Sequence, residues 1–391
     1  MEGLMKFLKR TKDKVEKTVL VISDLHLGAG HEYKGRKNHL EDFHSDKELV
    51  DFLHYYSSGS YENTEVELII NGDFLDLLAV PFVPFFEDEF WSEEAALAKL
   101  EIILDAHTEV FDALNQFLST KNKKVLYIIG NHDAELLFDS LKAKIFDVIK
   151  KENREKFTLT NDLQLYSPIK GVYLQHGHEY EEAHHFSEEN NIIESIEGRK
   201  YFIPPWGSYY VTHVLNKYKL ERDHVNSVRP IPTYIKHGLI FDTFFTIRFL
   251  VANGYYFLMI RFLHYYRLKL GWKNIIEDLL KELTLFQDYE TVTREFFQQN
   301  EDAKILIVGH THKPIFHEYE DGTTFINTGT WTRIVNLDLS QKQNQNETCL
   351  TYAIIESTSK EITSENFDSV VRANLYKWNS VRSSLPYEDF I

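Results

Sequence analysis

The chain has 391 residues, of which 43% are hydrophobic and 14% aromatic, enough apolar material for one large domain that carries an insertion. Its 43 basic and 60 acidic residues give a formal net charge of −17, a field that repels nucleic acid, so nucleic acid is not an expected partner. The only cysteine, Cys349, excludes an internal disulfide and indicates a reducing compartment.

Residues 1–17 carry charges throughout and lack an apolar core of signal-peptide length, so a cytoplasmic location is expected. A frayed basic helix is the favoured interpretation of this segment, and a peripheral membrane anchor is the alternative. The most apolar stretch, residues 239–266, is interrupted by charged side chains. No transmembrane helix is therefore predicted.

Apolar runs and helical patterns alternate along the first half of the chain. Short runs rich in β-branched residues predict strands, at residues 18–23, 66–70, 125–129, 172–175 and, much later, 305–308. Apolar residues at helical spacing predict two helices, at 93–118 with Ser92 as N-cap and at 134–151. This alternation is typical of a layered α/β domain.

The rest of the chain differs in composition. Its C-terminal part predicts β-hairpins and a mixed sheet, with strands at residues 315–319, 323–327, 331–337 and 350–356 and a polar loop at 341–347. The stretch between is too long for a plain loop and predicts a helical insertion, or cap. We therefore expect a core formed by residues 1–180 and 304–391, with the insertion at 181–303.

Five short polar segments each follow a predicted strand. They read Ser-Asp24-Leu-His26, Asn-Gly-Asp73, Gly-Asn131-His132-Asp133, His176-Gly-His178 and Gly-His310-Thr-His312. Open α/β sheets bind ligands at the carboxyl ends of their strands, so these segments are expected to converge. Any one of them alone is weak evidence, but five in order favour divalent metal ions held by nitrogen and oxygen ligands.

The side chains of these segments suit a pair of metal ions. Alternate residues of a strand point the same way, so Asp24 and His26 can reach one ion. The two oxygens of Asp73 can bridge two cations. The other candidate ligands are a carboxamide and three imidazoles, on Asn131, His176, His310 and His312.

Two neighbouring ions clamp a phosphate and acidify a bridging water, which predicts in-line attack of the resulting hydroxide on phosphorus. The leaving oxygen then needs a proton. His132, next to a ligand but itself free, is the candidate donor, and Asp133 is the candidate that orients its ring.

These motifs, in this order, resemble those of the calcineurin-like metallophosphoesterases over residues 18–178 and about 304–337. The resemblance implies a four-layer α/β/β/α sandwich. It also implies two divalent ions, of manganese, iron or zinc. The first would be held by Asp24, His26, Asp73 and His312, and the second by Asp73, Asn131, His176 and His310. The same resemblance implies that His132 and Asp133 are the catalytic pair.

The segments Asp-Leu-His-Leu-Gly and Gly-Asp-Phe-Leu-Asp-Leu also resemble the UDP-2,3-diacylglucosamine hydrolase branch of that family. The branch cleaves a pyrophosphate in a lipid precursor and has a helical insertion that shelters acyl chains. It typically has arginine where this chain has His132, and aspartate where it has His178. The resemblance implies a small phosphorylated, nucleotide-sugar or lipid-linked substrate, with peripheral membrane contact through the cap.

Several interpretations stay open at this stage. His178 is either a phosphate ligand or support for His176, or a solvent-facing neighbour. The aromatic run 241–266 is favoured as the core of the insertion, with a lipid groove or membrane contact as alternatives. The basic residues before it form a solvated face or a phosphate clamp. A phosphomonoesterase or protein phosphatase, and a non-catalytic binding platform, are the functional alternatives.

Overall fold

The computed structural model describes residues 15–160, 165–181, 183–229, 231–268, 289–336, 350–379 and 385–386. Most of the N-terminal segment, the polar loop 341–347 and Cys349 lie outside these residues. Twelve strands form the two large sheets: β1 Lys17–Ile22, β2 Glu65–Asn71, β3 Lys123–Ile128, β4 Phe157–Thr160, β5 Tyr166–Ile169, β6 Val172–Leu174, β7 Ile305–Val308, β8 Ile315–Glu318, β9 Thr324–Asn327, β10 Thr351–Ser357, β11 Val371–Lys377 and β12 Leu385–Pro386.

The longer helices of the described residues are α1 Asp46–Ser57, α2 Glu93–Ala106, α3 Thr108–Ser119, α4 Asp139–Val148, α5 at residues 206–219, α6 Ile231–Phe241, α7 Thr243–Leu268 and α8 Tyr289–Gln299. Helix α5 has three parts: Trp206–Tyr210, a π-helical turn Val211–Leu215 and Asn216–Lys219. The N-cap prediction for α2 is confirmed, because the Ser92 hydroxyl accepts a hydrogen bond from the Ala95 amide. The single helix predicted at 93–118 is wrong in one respect: the structure has two helices, which meet at His107.

The first sheet has seven strands in the order β12-β11-β10-β1-β2-β3-β4. Strands β1 to β4 are parallel to one another, and β10 to β12 continue the sheet antiparallel from β1. The second sheet has five strands in the order β8-β9-β7-β6-β5, with β7 parallel to both of its neighbours. The carboxyl ends of β1, β2 and β3 lie together at one edge of the first sheet.

Alternation along the buried strands creates the layers. On β1, Leu20 and Ile22 belong to the large core that packs against helices α1 to α4, whereas Val19 and Val21 belong to the core between the two sheets. Phe296 of α8 packs with Leu306 and Phe325 on the outer face of the second sheet. The prediction of an α/β fold with sheets flanked by helices is confirmed.

The described part of residues 181–303 is mainly helical and also contains short strands. Ile192–Glu194 and Lys200–Phe202 form a small antiparallel pair, and Val228–Arg229 pairs in parallel with Val335–Asn336. Helix α8 covers the second sheet, so its packing favours an insertion that ends before Tyr289. The division into core and insertion stays a prediction.

Several described side chains of the aromatic run 241–266 are exposed. Phe241 is 84% exposed and Phe244 is 78% exposed, while Phe245 is buried against Tyr218. The core interpretation is therefore wrong for Phe241, Phe244 and Tyr255. It agrees with the packing of Phe245, Phe249 and Tyr256 on α5, because one face of α7 packs on that helix. Among the described helices, none combines the length and apolar character required to cross a bilayer.

Candidate metal centre

Five of the seven predicted ligands have left-handed backbone conformations. The φ angles of Asp24, His26, Asp73, His310 and His312 are 54°, 57°, 50°, 68° and 60°. Such conformations cost non-glycine residues about 1–3 kcal/mol each and persist where the surroundings enforce them, most often at functional sites.

Backbone hydrogen bonds between the loops enforce these conformations. The amide of Asp24 donates to the Gly72 carbonyl, and the amides of Leu25 and His26 both donate to the Asp73 carbonyl, each at 2.9 Å. Strand β1 ends at Ile22, so Asp24 and His26 lie in a turn. They do converge, but strand alternation is the wrong reason.

One group of ligands consists of Asp24, His26 and His312. Nε2 of His26 lies 3.0 Å from Nε2 of His312, and Nε2 of His312 lies 3.5 Å from Oδ1 of Asp24. The three candidate ligand atoms all lie within 4.8 Å of one another. Asp24 and His26 are buried, and His312 closes the group from its more exposed side.

A second group consists of Asp73, His176 and His310, again with ligand atoms within 4.8 Å of one another. Nε2 of His176 lies 3.3 Å from Oδ2 of Asp73, and the same Asp73 oxygen lies 3.8 Å from Nε2 of His26. Asp73 therefore lies between the two groups. Oδ1 of Asn131 joins the second group, 3.3 Å from Nε2 of His176.

The residues of these groups fit divalent cations. Nδ1 of His310 is buried and has no hydrogen-bond partner among the described residues. Nδ1 of His176 donates to the Asn71 carbonyl at 2.7 Å, which leaves the Nε2 lone pair directed at the group. Buried carboxylates, an amide oxygen and imidazoles are a donor set that manganese, iron and zinc all accept.

The charges at the centre are strongly coupled. Burial, together with the neighbouring Asp73 carboxylate, raises the pKa of Asp24. Burial acts in the same direction on Asp73, but the imidazoles of His176 and His132 outweigh it and hold the pKa of Asp73 well below its usual range. Two carboxylates this close need positive charge between them to stay ionised together.

Two glycines of the motifs leave room for ligands. A Cβ atom on Gly72, whose φ is +85°, would lie 2.1 Å from Nδ1 of His176. A Cβ atom on Gly130 would lie 2.3 Å from Oδ1 of Asp73. The ligand side chains thus occupy the space of the missing side chains.

His132 lies beside the first group, with its ring centroid 4.5 Å from that of His26. Its Nδ1 lies 3.0 Å from Oδ1 of Asp76, whose other oxygen lies 3.5 Å from Nδ1 of His26. Burial would raise the pKa of Asp76, but the imidazoles of His132 and His26 lower it overall. Asp76 is thus a buried ionised partner of both rings.

The interpretation of Asp133 as the partner of His132 is wrong. Its carboxylate accepts hydrogen bonds from the amides of Gly130 and Phe74, at 2.6 Å and 2.9 Å, and from the Tyr127 hydroxyl. Asp133 therefore ties the β3 loop to the β2 loop. Asp76 takes the place expected for Asp133, because it ends the Gly-Asp-Phe-Leu-Asp turn with its side chain facing inward.

His178 is not a solvent-facing residue. Its ring is buried and stacks on Phe186 with 4.7 Å between ring centroids, and its centroid is 5.4 Å from that of His176. Burial lowers the pKa of His178 to about 4, so the ring is neutral at physiological pH. It packs behind His176.

Sequence reasoning missed Glu181 and His184. Oε2 of Glu181 lies 3.0 Å from Nε2 of His310 and 3.7 Å from Nε2 of His184. Nδ1 of His184 lies 3.4 Å from Nδ2 of Asn131. Both residues follow the His-Gly-His motif by a few positions, and that proximity in sequence was the available signal.

Three of the seven basic residues that precede the aromatic run form ion pairs with carboxylates of the described residues. Arg199 binds Glu89 and Glu94, Lys219 binds Asp42, and Arg222 binds Asp242. Arg229 differs, since its guanidinium donates only to the carbonyls of Asn226 and Val228 among the described residues. Its charge is one of the causes, after burial and His26, that hold the pKa of His312 well below its usual range.

No curated protein sequence matches the chain. Similar solved structures include a dimetal phosphatase from Danio rerio, an archaeal phosphodiesterase and Vacuolar Protein Sorting 29 from Cryptosporidium parvum, each 12% identical. They cover 95%, 92% and 95% of this chain and 99%, 99% and 97% of their own, with TM-scores of 0.38, 0.31 and 0.32. Likenesses this weak carry no argument about function.

A family model provides the stronger finding. The model of the calcineurin-like phosphoesterases matches residues 17–314, a range that begins at β1 and includes all five polar segments. The chain belongs to the calcineurin-like phosphoesterase family and is a hydrolase.

Proposed function

We propose that the chain hydrolyses a phosphodiester or diphosphate bond with two divalent cations, most simply manganese, at the centre described above. The observation that carries the proposal is the position of Asp73, whose Oδ2 faces His26 of one ligand group and His176 of the other. Asp24, His26, Asp73 and His312 would hold one ion, and Asp73, Asn131, His176 and His310 the other. When bound, such a pair neutralises the phosphoryl oxygens and acidifies the attacking water.

The chain's own contribution to the reaction is proton transfer and orientation. Asp76 is ionised and lies against Nδ1 of His132, so it favours the tautomer with a proton on Nδ1 and stabilises the imidazolium. A protonated His132 can then donate from Nε2 to the leaving oxygen. The His132 side chain is 17% exposed, which leaves one edge of the ring accessible to a substrate.

The leaving group decides between a diester and a monoester. A cavity of about 600 Å³ lies between the 31–44 loop and helices α6 and α7. Val228 lines it, and the next residue is Arg229, the arginine without a carboxylate partner among the described residues. None of the proposed metal ligands lines this cavity. Arg229, whose charge acts on His312, is the group placed to meet a second anionic group of a diester or diphosphate, which a small monoester lacks.

A lipid-linked or nucleotide-sugar diphosphate, as in the UDP-2,3-diacylglucosamine hydrolase branch, is the specific form of this proposal. It is supported by the sequence motifs and by the exposed apolar side chains of α6 and α7. A phosphomonoesterase acting on small substrates or proteins is the enzymatic alternative. Comparison of bis(p-nitrophenyl) phosphate with p-nitrophenyl phosphate as substrates separates the two.

Replacement of His132 tests the mechanism. His132→Ala should retain both metal ions in elemental analysis, because the residue is not among the proposed ligands, and should lower kcat on bis(p-nitrophenyl) phosphate by about 10²- to 10⁴-fold. His54→Ala, on the exposed face of α1, is the matched control and should leave kcat unchanged. Full activity in the His132 variant would exclude the proposed proton donor.

A non-catalytic binding platform is the alternative from another class. Such a protein would bind metal ions or a phosphorylated ligand without turning over any phosphoester. All proposed ligands are present here, which argues against it. Purified protein that contains two ions per chain but cleaves neither nitrophenyl substrate would support the platform.

A further inference from the structure

We propose that Glu181 and His184 are positioning residues, which hold His310 and Asn131 in the orientation required to bind the second metal ion. This inference rests on the proposed function, because it concerns the ligands of the same centre. It goes beyond the predicted ligands, since it assigns a role to two residues outside that set. The cluster lies where the insertion begins, directly after β6.

The two nitrogens of His310 have different surroundings. Nε2 lies 3.0 Å from Oε2 of Glu181, while Nδ1 is buried and has no partner within the part of the chain that the structure describes. A carboxylate accepts only a proton-bearing nitrogen, so Glu181 places the proton on Nε2 and leaves the Nδ1 lone pair free. That lone pair is the one available to a cation beside Asp73 and His176. Carboxylate–histidine–metal arrangements fix ligand tautomers in this way.

His184 performs the matching task for Asn131. Nδ1 of His184 lies 3.4 Å from Nδ2 of Asn131, and Oδ1 of the same amide lies 3.3 Å from Nε2 of His176. With the amide nitrogen turned to His184, the amide oxygen faces the second ligand group. Oε2 of Glu181 lies 3.7 Å from Nε2 of His184. The same carboxylate therefore supports His310 directly and Asn131 through His184.

Helix α5 of the insertion supports the position of His184. A Cβ atom on Gly207, in the first turn of α5, would lie 2.5 Å from Cε1 of His184 and 2.7 Å from the Ala183 carbonyl. The Gly207 amide donates to that same carbonyl at 2.9 Å. The ring of His184 is therefore packed against the α5 backbone, and the position of this helix is transmitted to Asn131.

Metal binding by the full-length chain tests the proposal without reliance on turnover. Mn²⁺ is titrated into metal-free protein, and the free ion is counted by electron paramagnetic resonance. In Glu181→Gln, the carboxamide can either accept from Nε2 or donate to it, so the preference for the tautomer with a proton on Nε2 and a free Nδ1 lone pair is lost. One of two Mn²⁺ ions should then bind about 10- to 100-fold more weakly, and the other should keep its affinity. Glu181→Asp, which keeps the carboxylate, should restore part of the loss.

His184→Ala should weaken the same ion, because the Asn131 amide becomes free to rotate. The matched control is His185→Ala, which removes the exposed neighbouring histidine and should bind both ions as the wild type does. Near-UV circular dichroism checks that the variants keep the native packing. If a variant loses both ions and also loses the native near-UV spectrum, the effect is general unfolding. That result would overturn a positioning role.

Two further results contradict the proposal. Unchanged affinity for two ions in Glu181→Gln would show that Glu181 does not orient His310. A wild type that binds three ions and a variant that binds two would make Glu181 a ligand of a separate cation. Failure of the proposed function looks different, because it is a wild type that binds two ions and cleaves no phosphoester.

Discussion

The ring of His132 lies between His26, a predicted ligand, and Asp76, a buried carboxylate. This arrangement assigns different tasks to Asp76 and Asp133. Asp76 controls the proton on His132, whereas Asp133 accepts backbone hydrogen bonds that join two loops. The chemistry of one residue type is decided by which donors surround it.

Asp76→Asn should therefore lower kcat on bis(p-nitrophenyl) phosphate by about 10- to 100-fold, because the neutral amide no longer stabilises the imidazolium of His132. Steady-state kinetics and denaturant unfolding of the same variant check this. The denaturant midpoint of Asp76→Asn should shift less than that of Asp133→Asn. The second substitution disturbs a carboxylate that accepts hydrogen bonds from Gly130, Phe74 and Tyr127. The opposite pattern, with Asp133→Asn stable but inactive, would return the catalytic role to Asp133.

At the scale of elements, a buried ion pair attaches the loop after β3 to helix α2. Nζ of Lys99 lies 2.7 Å and 2.6 Å from the two carboxylate oxygens of Glu135, and both side chains are almost completely buried. The same Nζ lies 4.0 Å from the centre of the Phe90 ring. Glu135 follows Asp133 by two residues, so the pair fixes the turn that carries Asn131 and His132.

Lys99→Met should destabilise the protein by about 3–5 kcal/mol, since it leaves the Glu135 carboxylate buried without a counter-charge. The free energy of unfolding in urea measures the effect. The double variant Lys99→Met with Glu135→Leu removes both charges and should recover most of the loss. If the double variant is no more stable than the single one, packing rather than charge holds these elements together.

Strands and helix ends can be predicted from sequence where the local pattern of apolar residues is strong, and cannot where tertiary contacts decide them. Strands β1, β2 and β3 could be predicted because fully buried strands read as continuous apolar runs. Strands β4, β5 and β11 were not predicted, since their half-buried residues give a weak pattern. The break between α2 and α3 was also missed, because apolar residues keep their helical spacing across His107.

At the scale of the whole molecule, apolar side chains stand out on α6 and α7. Ile240, Phe241, Phe244 and Val251 are each more than 60% exposed, on helices that line the 600 Å³ cavity. Exposed apolar groups of this size often mark an interaction surface. We propose that this surface contacts the membrane that supplies a lipid-linked substrate. Burial of apolar side chains would drive this contact, since the chain's net charge of −17 opposes binding to anionic lipids.

The variant with Phe241→Ser and Phe244→Ser should lose about tenfold or more of its binding to lipid vesicles, because each buried Phe contributes about 1.5–3 kcal/mol. Co-sedimentation with phosphatidylcholine and phosphatidylglycerol vesicles measures this. The kcat for bis(p-nitrophenyl) phosphate should stay unchanged, since neither side chain is part of the metal centre. Phe241 lines the cavity, so any change in hydrolysis should be confined to KM. Ile196→Ser is the control, as an equally exposed apolar residue outside these helices.

Equal vesicle binding by the wild type and the double Phe variant would exclude lipid as the partner of this surface. If neither the wild type nor the double Phe variant binds vesicles, lipid is likewise excluded as the partner. In either case the substrate proposal would be restricted to small diphosphates held in the cavity.

The sequence by itself determined the chemistry of the centre, because each motif combines a buried strand with ligand side chains, and that combination survives any detail of packing. It also determined the α/β class and the family. Only the tertiary structure decided which carboxylate faces His132, that Glu181 and His184 support His310 and Asn131, and that Phe241 and Phe244 are exposed. These features depend on left-handed turns and on contacts between segments far apart in the chain, and neither leaves a periodic signal in sequence.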